Sequence, residues 1–288
     1  MLKRTIKVGH SPDADDIFMY YAIKFGWISS EFVFENYAFD IQKLNEMALK
    51  NELDISAISF ALYPLIAKEQ CLLRTGVSFG EGYGPKLIKK KGTKLKDNFI
   101  VALSGAHTTN ALIFKTKYKN ARIIYKNFLD IESAVLSGEA HAGVLIHESI
   151  LDFDDSLEVE CEIWDIWQDL NKNNLPLPLG GMSIRRSIPL NSAIKCEEAL
   201  TKAVQIAIDG KKILSKMLLD RNLVRVDDKK LEHYLNLYAN NNSITLNNIQ
   251  LDSINTLFKI GYDFGFYNTP LDVNDCLIPL EYKEFRES

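Results

Sequence analysis

The chain has 288 residues, of which 47% are hydrophobic and 25% charged, and its formal net charge is -4. That length exceeds one ordinary domain and predicts two, each with a core of its own. The mild acidity gives no electrostatic basis for binding nucleic acid or an anionic membrane surface.

No stretch approaches the ~18 apolar residues needed to cross a bilayer. The four cysteines, Cys71, Cys161, Cys196 and Cys276, form no CxxC pair. Their spacing argues against a zinc site or redox dithiol and fits small buried hydrophobes in a reducing compartment. The start, Met1-Leu2-Lys3-Arg4, enters a strand at once, without a long apolar run and small-residue cleavage site. A cytoplasmic location is therefore expected.

Taken in chain order, 5–9 alternates as a first buried strand, and 17–23 carries the apolar spacing of a helix. Between them lies His10-Ser-Pro-Asp-Ala-Asp-Asp-Ile-Phe18. Ser11 or Asp13 can cap the helix, and Pro12 is tolerated in its first turn. Capping alone would account for the cluster. It also sits where open α/β sheets place ligands, past a strand end and at a helix N-terminus.

A second strand is predicted at 32–39, a helix at 41–50, a third strand at 54–59 running into helix 60–67, and a fourth strand at 71–78. This alternation predicts a parallel sheet with right-handed crossovers, its strand ends carrying His10, Ser11, Phe39, Asp40 and Ser59 along one edge. Residues 79–85 hold three glycines but neither the phosphate-loop nor the dinucleotide pattern, and are read as a tight turn. Lys89, Lys90 and Lys91 are read as a solvated strand edge or turn.

A second α/β run begins with a strand at 99–103. Ser104-Gly-Ala-His-Thr-Thr-Asn110 closes it and opens a helix at 111–118. Thr108 and Thr109 can be caps, but the segment offers more donors than one cap requires and suits a carboxylate. Strands follow at 121–125, 142–146 and 159–163, with helices at 131–137 and 166–170. In Leu175-Pro-Leu-Pro-Leu-Gly-Gly181 the prolines cannot donate to a central ladder, whereas the glycines permit close backbone approach or a bend. An interdomain linker is the simpler account of that stretch. A strand resumes at 182–184, and the remainder is helical at 197–219, 229–238 and 249–266.

Of the five histidines, His233 lies in an amphipathic helix and His141 precedes a buried strand. His10 and His107 are placed at strand ends facing a cleft. His147 is the strongest candidate for chemistry, because it terminates strand 142–146 and an imidazole exchanges protons near neutral pH. No HExxH, metal-ligand triplet or GxSxG elbow is present. The residues permit acid–base chemistry on an anionic small molecule, without metal or cofactor.

Three stretches, His10-Ser-Pro-Asp-Ala-Asp-Asp-Ile-Phe-Met-Tyr20, Ala142-Gly-Val-Leu-Ile-His-Glu148 and Leu175-Pro-Leu-Pro-Leu-Gly-Gly-Met-Ser-Ile-Arg-Arg186, together closely resemble the 1,4-dihydroxy-6-naphthoate synthase family of menaquinone biosynthesis. Ser104-Gly-x-x-Thr-Thr109 extends the similarity. The resemblance implies a two-lobed α/β fold like the type II periplasmic binding proteins, with ligand between the lobes and the C-terminal helices returning to the first. It implies cleavage of cyclic dehypoxanthinyl futalosine at a carbon–carbon bond, giving the naphthoate and dihydroxyacetone. It also implies His147 as base, and Thr108, Thr109, Ala57 and Ser59 as substrate contacts. His10 and Ser11 are placed beside them to hold the sugar-derived part. Two departures stand out: Met182 where the family has Asn after the glycines, and Glu-Ser-Ile-Leu151 after His147.

The division read from this is 1–95 plus 190–288 for the first lobe and 96–189 for the second, with hinges near 94–99 and 176–189. The expected partner is a small-molecule carboxylate, with no nucleic acid or membrane, on a monomer or homodimer. Rival expectations are chorismate dehydratase of the same pathway and a non-catalytic small-anion-binding protein.

Overall fold

The computed structural model describes residues 3–12, 14–224 and 227–281. Asp13, one of the two caps considered for the first helix, lies outside them. β1 (Arg4–His10) buries Ile6 and Val8 completely and leads into α1 (Ala14–Lys24). β2 (Phe32–Ala38) and α2 (Ile41–Leu49) follow. Asp40 caps α2 by accepting from the Gln42 and Lys43 N–H groups, which satisfies donors the first turn leaves unpaired. β3 (Ile55–Ser59) is buried throughout and passes through a 3-10 turn at 60–62 into the single turn α3 (Tyr63–Ile66). β4 (Gln70–Leu72) and β5 (Ser78–Gly80) are short.

The next elements are β6 (Lys86–Lys90), β7 (Ile100–Leu103), α4 (Thr109–Lys117), β8 (Arg122–Tyr125), α5 (Ile131–Ser137), β9 (Ala142–Leu145), β10 (Leu157–Glu162) and α6 (Ile163–Asn171). β11 (Leu177–Arg185) is followed by α7 (Leu190–Asp209), α8 (Lys211–Asp220), α9 (Asp228–Tyr238) and α10 (Asn248–Asp263). No helix of the described residues is long and apolar enough to cross a membrane.

Two sheets result. One has the order β2-β1-β3-β11-β4, with β5 also on β11; the other has the order β10-β6-β9-β7-β8. β1, β2 and β3 are parallel, so their C-terminal ends share an edge, as the alternation of elements predicts. α7 packs on α1, and α10 packs on β11 and the 60–62 turn, so the C-terminal helices return to the first sheet.

Four expectations are corrected. Residues 71–78 are not one parallel strand. Gly76 adopts φ +66, and the segment divides into β4 and β5, both antiparallel to β11. The stretch holding Pro178 is not a linker but part of β11. Pro178 stands opposite Phe79 of β5, and pairing with β3 begins only at Gly180, so its missing donor falls outside that ladder.

Lys89 and Lys90 sit in β6, between β10 and β9, rather than at an edge. Lys89 is neutralised across the pair by Glu158 at 3.5 Å and Glu160 at 2.5 Å. Finally, the sheets exchange the chain at 81–85 and 172–176. β6 therefore belongs with the second sheet and β11 with the first, and 94–99 lies inside the second unit rather than at a crossing.

In the second sheet α5 lies very close to β9. A Cβ on Gly143 would come within 2.5 Å of Ile131 Cγ2 and 3.1 Å of Val135 Cγ2, both on stiff β-branched side chains. Gly143→Ala should therefore cost ~1–3 kcal/mol through overpacking, measured as a lower urea midpoint with an unchanged slope.

Candidate active site

A cavity enclosing about 780 Å³, its mouth included, opens between the two sheets. Its walls carry Ser11, Ala57, Ser59, Thr108, Thr109 and His147, so six of the seven residues singled out from the sequence converge on one space. An apolar surface of Ile41, Ile58, Ile146, Leu179 and the Tyr234 ring completes it, together with Asp16, Asn110 and the backbone of Gly180 and Gly181. Pockets of this make-up, mostly apolar with a few convergent polar groups, suit a small ring-bearing ligand.

His10 is the exception. It is 4% exposed and does not line the cavity. Its ring stacks on Tyr20 at 5.0 Å, and Nδ1 donates to Ser11 O at 2.8 Å. Strand polarity put this position at the correct edge, but the ring turns inward against α1. The Tyr20 hydroxyl in turn donates to Met182 Sδ at 2.9 Å. Met182 is thus buried behind the cavity wall as a support for Tyr20, and its departure from the family pattern falls outside the lining.

His147 lies one residue beyond β9, after Ile146, and adopts φ +55. A left-handed conformation costs a residue with a Cβ ~1–2 kcal/mol, and such strain persists only where the surroundings enforce it. Here the ring is held edge-on against Phe128 at 5.0 Å while facing the cavity. His107 is half-buried and off the cavity; burial, reinforced by Lys115, lowers its pKa. His141 accepts at Nδ1 from the Ile100 N–H at 2.9 Å, and His233 is exposed on α9.

The two threonines work differently from the expectation that their hydroxyls hold a ligand. Thr108 is the N-cap of α4: its hydroxyl accepts from the Ala111 N–H and lies 2.7 Å from Asn110 Oδ1 and 3.0 Å from Gly105 O. The Thr109 hydroxyl donates to Leu179 O at 2.8 Å and accepts from the Ala61 N–H at 3.2 Å. Both partners belong to the first-sheet unit, so Thr109 joins the two walls. Gln42 of α2 makes a second junction by lying directly against Gly105. What the threonine segment offers a ligand is the N-terminus of α4, where first-turn amides and the helix dipole favour an anion.

Ser59 is set from behind by Asn45, which is fully buried in α2. Asn45 Oδ1 accepts from the Ser59 N–H at 3.0 Å, and its Nδ2 donates to Ser59 Oγ at 3.1 Å. With Oγ accepting from Asn45, the Ser59 hydroxyl proton is available as a donor. Asn45 carried a signal in the sequence: it shares the apolar stripe of Ile41, Leu44 and Ala48, where a polar side chain requires a buried partner. Tyr234 carried none. Pro85 and Ser78 bring the two ends of the glycine-rich turn to the cavity rim.

The Thr109 bridge is testable. Thr109→Val strands the Ala61 N–H and the Leu179 carbonyl, a loss of ~1–3 kcal/mol that falls on the joined arrangement of the walls. Small-angle scattering of the ligand-free variant should give a larger radius of gyration than the parent protein.

A Thermus thermophilus protein named 1,4-dihydroxy-6-naphthoate synthase is 28% identical over 203 residues, covering 70% of this chain and 74% of its own. A Streptomyces coelicolor protein of the same name is 25% identical over 243 residues, covering 82% and 85%. Among solved structures, an Archaeoglobus fulgidus protein superposes with TM-score 0.83 and 28% identity, over 91% of this chain and 98% of that one. The periplasmic aliphatic sulphonate binding protein of Escherichia coli gives TM-score 0.65 at 10% identity, over 96% and 97%. The fold is thus the two-lobed, type II periplasmic-binding-protein-like α/β architecture. A family model described as menaquinone biosynthesis matches residues 6–263, and the chain belongs to that family.

Proposed function

We propose that the protein is a carbon–carbon lyase that converts cyclic dehypoxanthinyl futalosine to 1,4-dihydroxy-6-naphthoate and dihydroxyacetone, with His147 as general base. The observation that carries this reading is the left-handed backbone of His147, which turns an imidazole into the cavity that also receives the N-terminus of α4. The names of the two relatives support the same reaction.

In this mechanism the substrate carboxylate sits on the first-turn amides of α4, where Thr109 and Asn110 line the cavity. The Ser59 hydroxyl, oriented by Asn45, donates to the ring carbonyl. His147 takes the proton of a hydroxyl on the sugar-derived part. The oxygen's electron pair closes a new carbonyl as the adjacent carbon–carbon bond breaks, and the bonding electrons pass into the ring as an enolate. Return of a proton to the enolate, and transfer of a ring C–H proton to the ring carbonyl oxygen by tautomerisation, give the aromatic dihydroxynaphthoate. The balance requires no oxidant or reductant, and aromatisation supplies the driving force. Walls joined through Thr109 keep water from the enolate.

Mass spectrometry of the purified protein mixed with cyclic dehypoxanthinyl futalosine should detect the naphthoate. Substrate recovered unchanged, or chorismate dehydrated in a parallel incubation, overturns the proposal. His147→Ala should lower turnover by roughly 10²–10⁴ while substrate binding, followed by calorimetry, stays within about threefold. Ser59→Ala should lower kcat/KM by roughly tenfold, the loss of one hydrogen bond to a developing negative charge.

A further inference from the structure

The second sheet carries a further cavity at its other end. It encloses about 1060 Å³, its mouth included, and lies where β7, β8 and β9 begin and β6 ends, whereas the first cavity lies past the ends of β7 and β9. The four-residue strands β7 and β9 separate the two by roughly 13 Å. No lining residue is shared. The walls of the further cavity hold Lys90, Lys94, Lys96 and Arg122, with no Asp or Glu among the described lining residues. In a chain of net charge -4 this is a local reversal of sign.

The neighbouring acids face elsewhere. Asp97 accepts from Asn120 Nδ2 at 2.7 Å, Glu139 pairs with Lys126 at 2.8 Å, and Glu158 is taken up by Lys89 and the Gly92 N–H. Strand alternation puts Lys89 and Lys90 on opposite faces of β6, so the acids of β10 that neutralise Lys89 do not meet Lys90. Lys90 Nζ rests instead beside Gly138, the C-cap of α5, where the helix dipole offsets part of its charge. Arg122 Nε donates to Asn98 O at 3.2 Å, which orients the guanidinium and leaves its two amino groups for a ligand. His141 adds a donor: with Nδ1 accepting from the Ile100 N–H, its Nε2 carries a proton. The floor of Leu95, Phe99 and Ala140 is apolar. A cleft of one sign with low-dielectric walls concentrates the field on an entering anion.

We propose that this cleft binds a small molecule through a di- or triphosphate group. A single carboxylate would meet one of the four cations and leave the others repelling one another. A polyphosphate spreads several negative charges over many acceptor oxygens, which matches three ammonium groups and a guanidinium fork. The concave form and the volume suit a small molecule rather than an extended polyanion.

Isothermal titration with inorganic pyrophosphate tests this. The parent protein should bind pyrophosphate at a single site about tenfold more tightly than inorganic phosphate, with affinity falling as salt rises. Arg122→Gln should weaken binding about tenfold, and Lys94→Gln combined with Lys96→Gln at least as much. All three side chains are exposed, so these variants keep the fold. Lys91→Gln, just outside the lining, should stay within about twofold of the parent. His147→Ala, in the other cavity, should bind pyrophosphate as the parent does. No binding at millimolar pyrophosphate, binding unchanged in the Arg122 and Lys94/Lys96 variants, or an equal loss in Lys91→Gln or His147→Ala overturns the proposal. A polyglutamate peptide that binds more tightly than pyrophosphate overturns it too, and identifies an acidic protein segment as the occupant. The lyase reading is tested separately, by turnover in the first cavity, and none of these results alters it.

Discussion

The hydroxyl of Thr109 is the joint on which the site depends. It donates to a carbonyl of β11 and accepts from an N–H beyond β3, and it stands at the first turn of α4, whose opening residues line the cavity. One side chain therefore ties the two walls together at the N-terminal end of α4. A hydrogen bond at this position contributes little in isolation, yet it is high in consequence because a buried N–H and a half-buried carbonyl lose their partner together if it opens.

The remaining polar groups show the same economy. Asn45 uses both ends of its amide on Ser59, leaving the serine with one proton to give. Phe128 braces the His147 ring, and the backbone of His147 bears the strain of presenting it. Tyr20 links His10 to Met182 behind the first wall. Ser59 and His147, which face the cavity, are thus each held by a residue that does not, which keeps their directions fixed before a ligand arrives.

Much of this was legible in the sequence, and the losses have physical causes. Period and strand polarity located β1, α2, β3, α5 and the edge carrying Ser11 and Ser59, because those signals are local. Ring direction is not local: His10 is at the predicted edge yet turns away, since Tyr20 of α1 offers it a stacking partner. Hydroxyl use is not local either, and Thr109 was assigned to the ligand because its partners, Ala61 and Leu179, are far away in the chain. The prolines of β11 were misjudged for the same reason. Their cost depends on which neighbour stands opposite, and Pro178 meets β5 before β3 begins. The lysines of β6 read as an edge because their partners on β10 come some seventy residues later.

The place of β11 bears on how the molecule is built. The second sheet is drawn wholly from 86–162, whereas the first lacks its strand between β3 and β4 until 177–185 is present. During synthesis the inserted unit has all its strands before the unit that precedes it does. Until then β3 presents an unpaired, fully buried-type edge of Ile55, Ala57 and Ile58, a template for wrong strand pairing. The segment rich in proline and glycine that later fills this gap is poorly suited to pairing early, so the order of closure is written into the last strand to arrive.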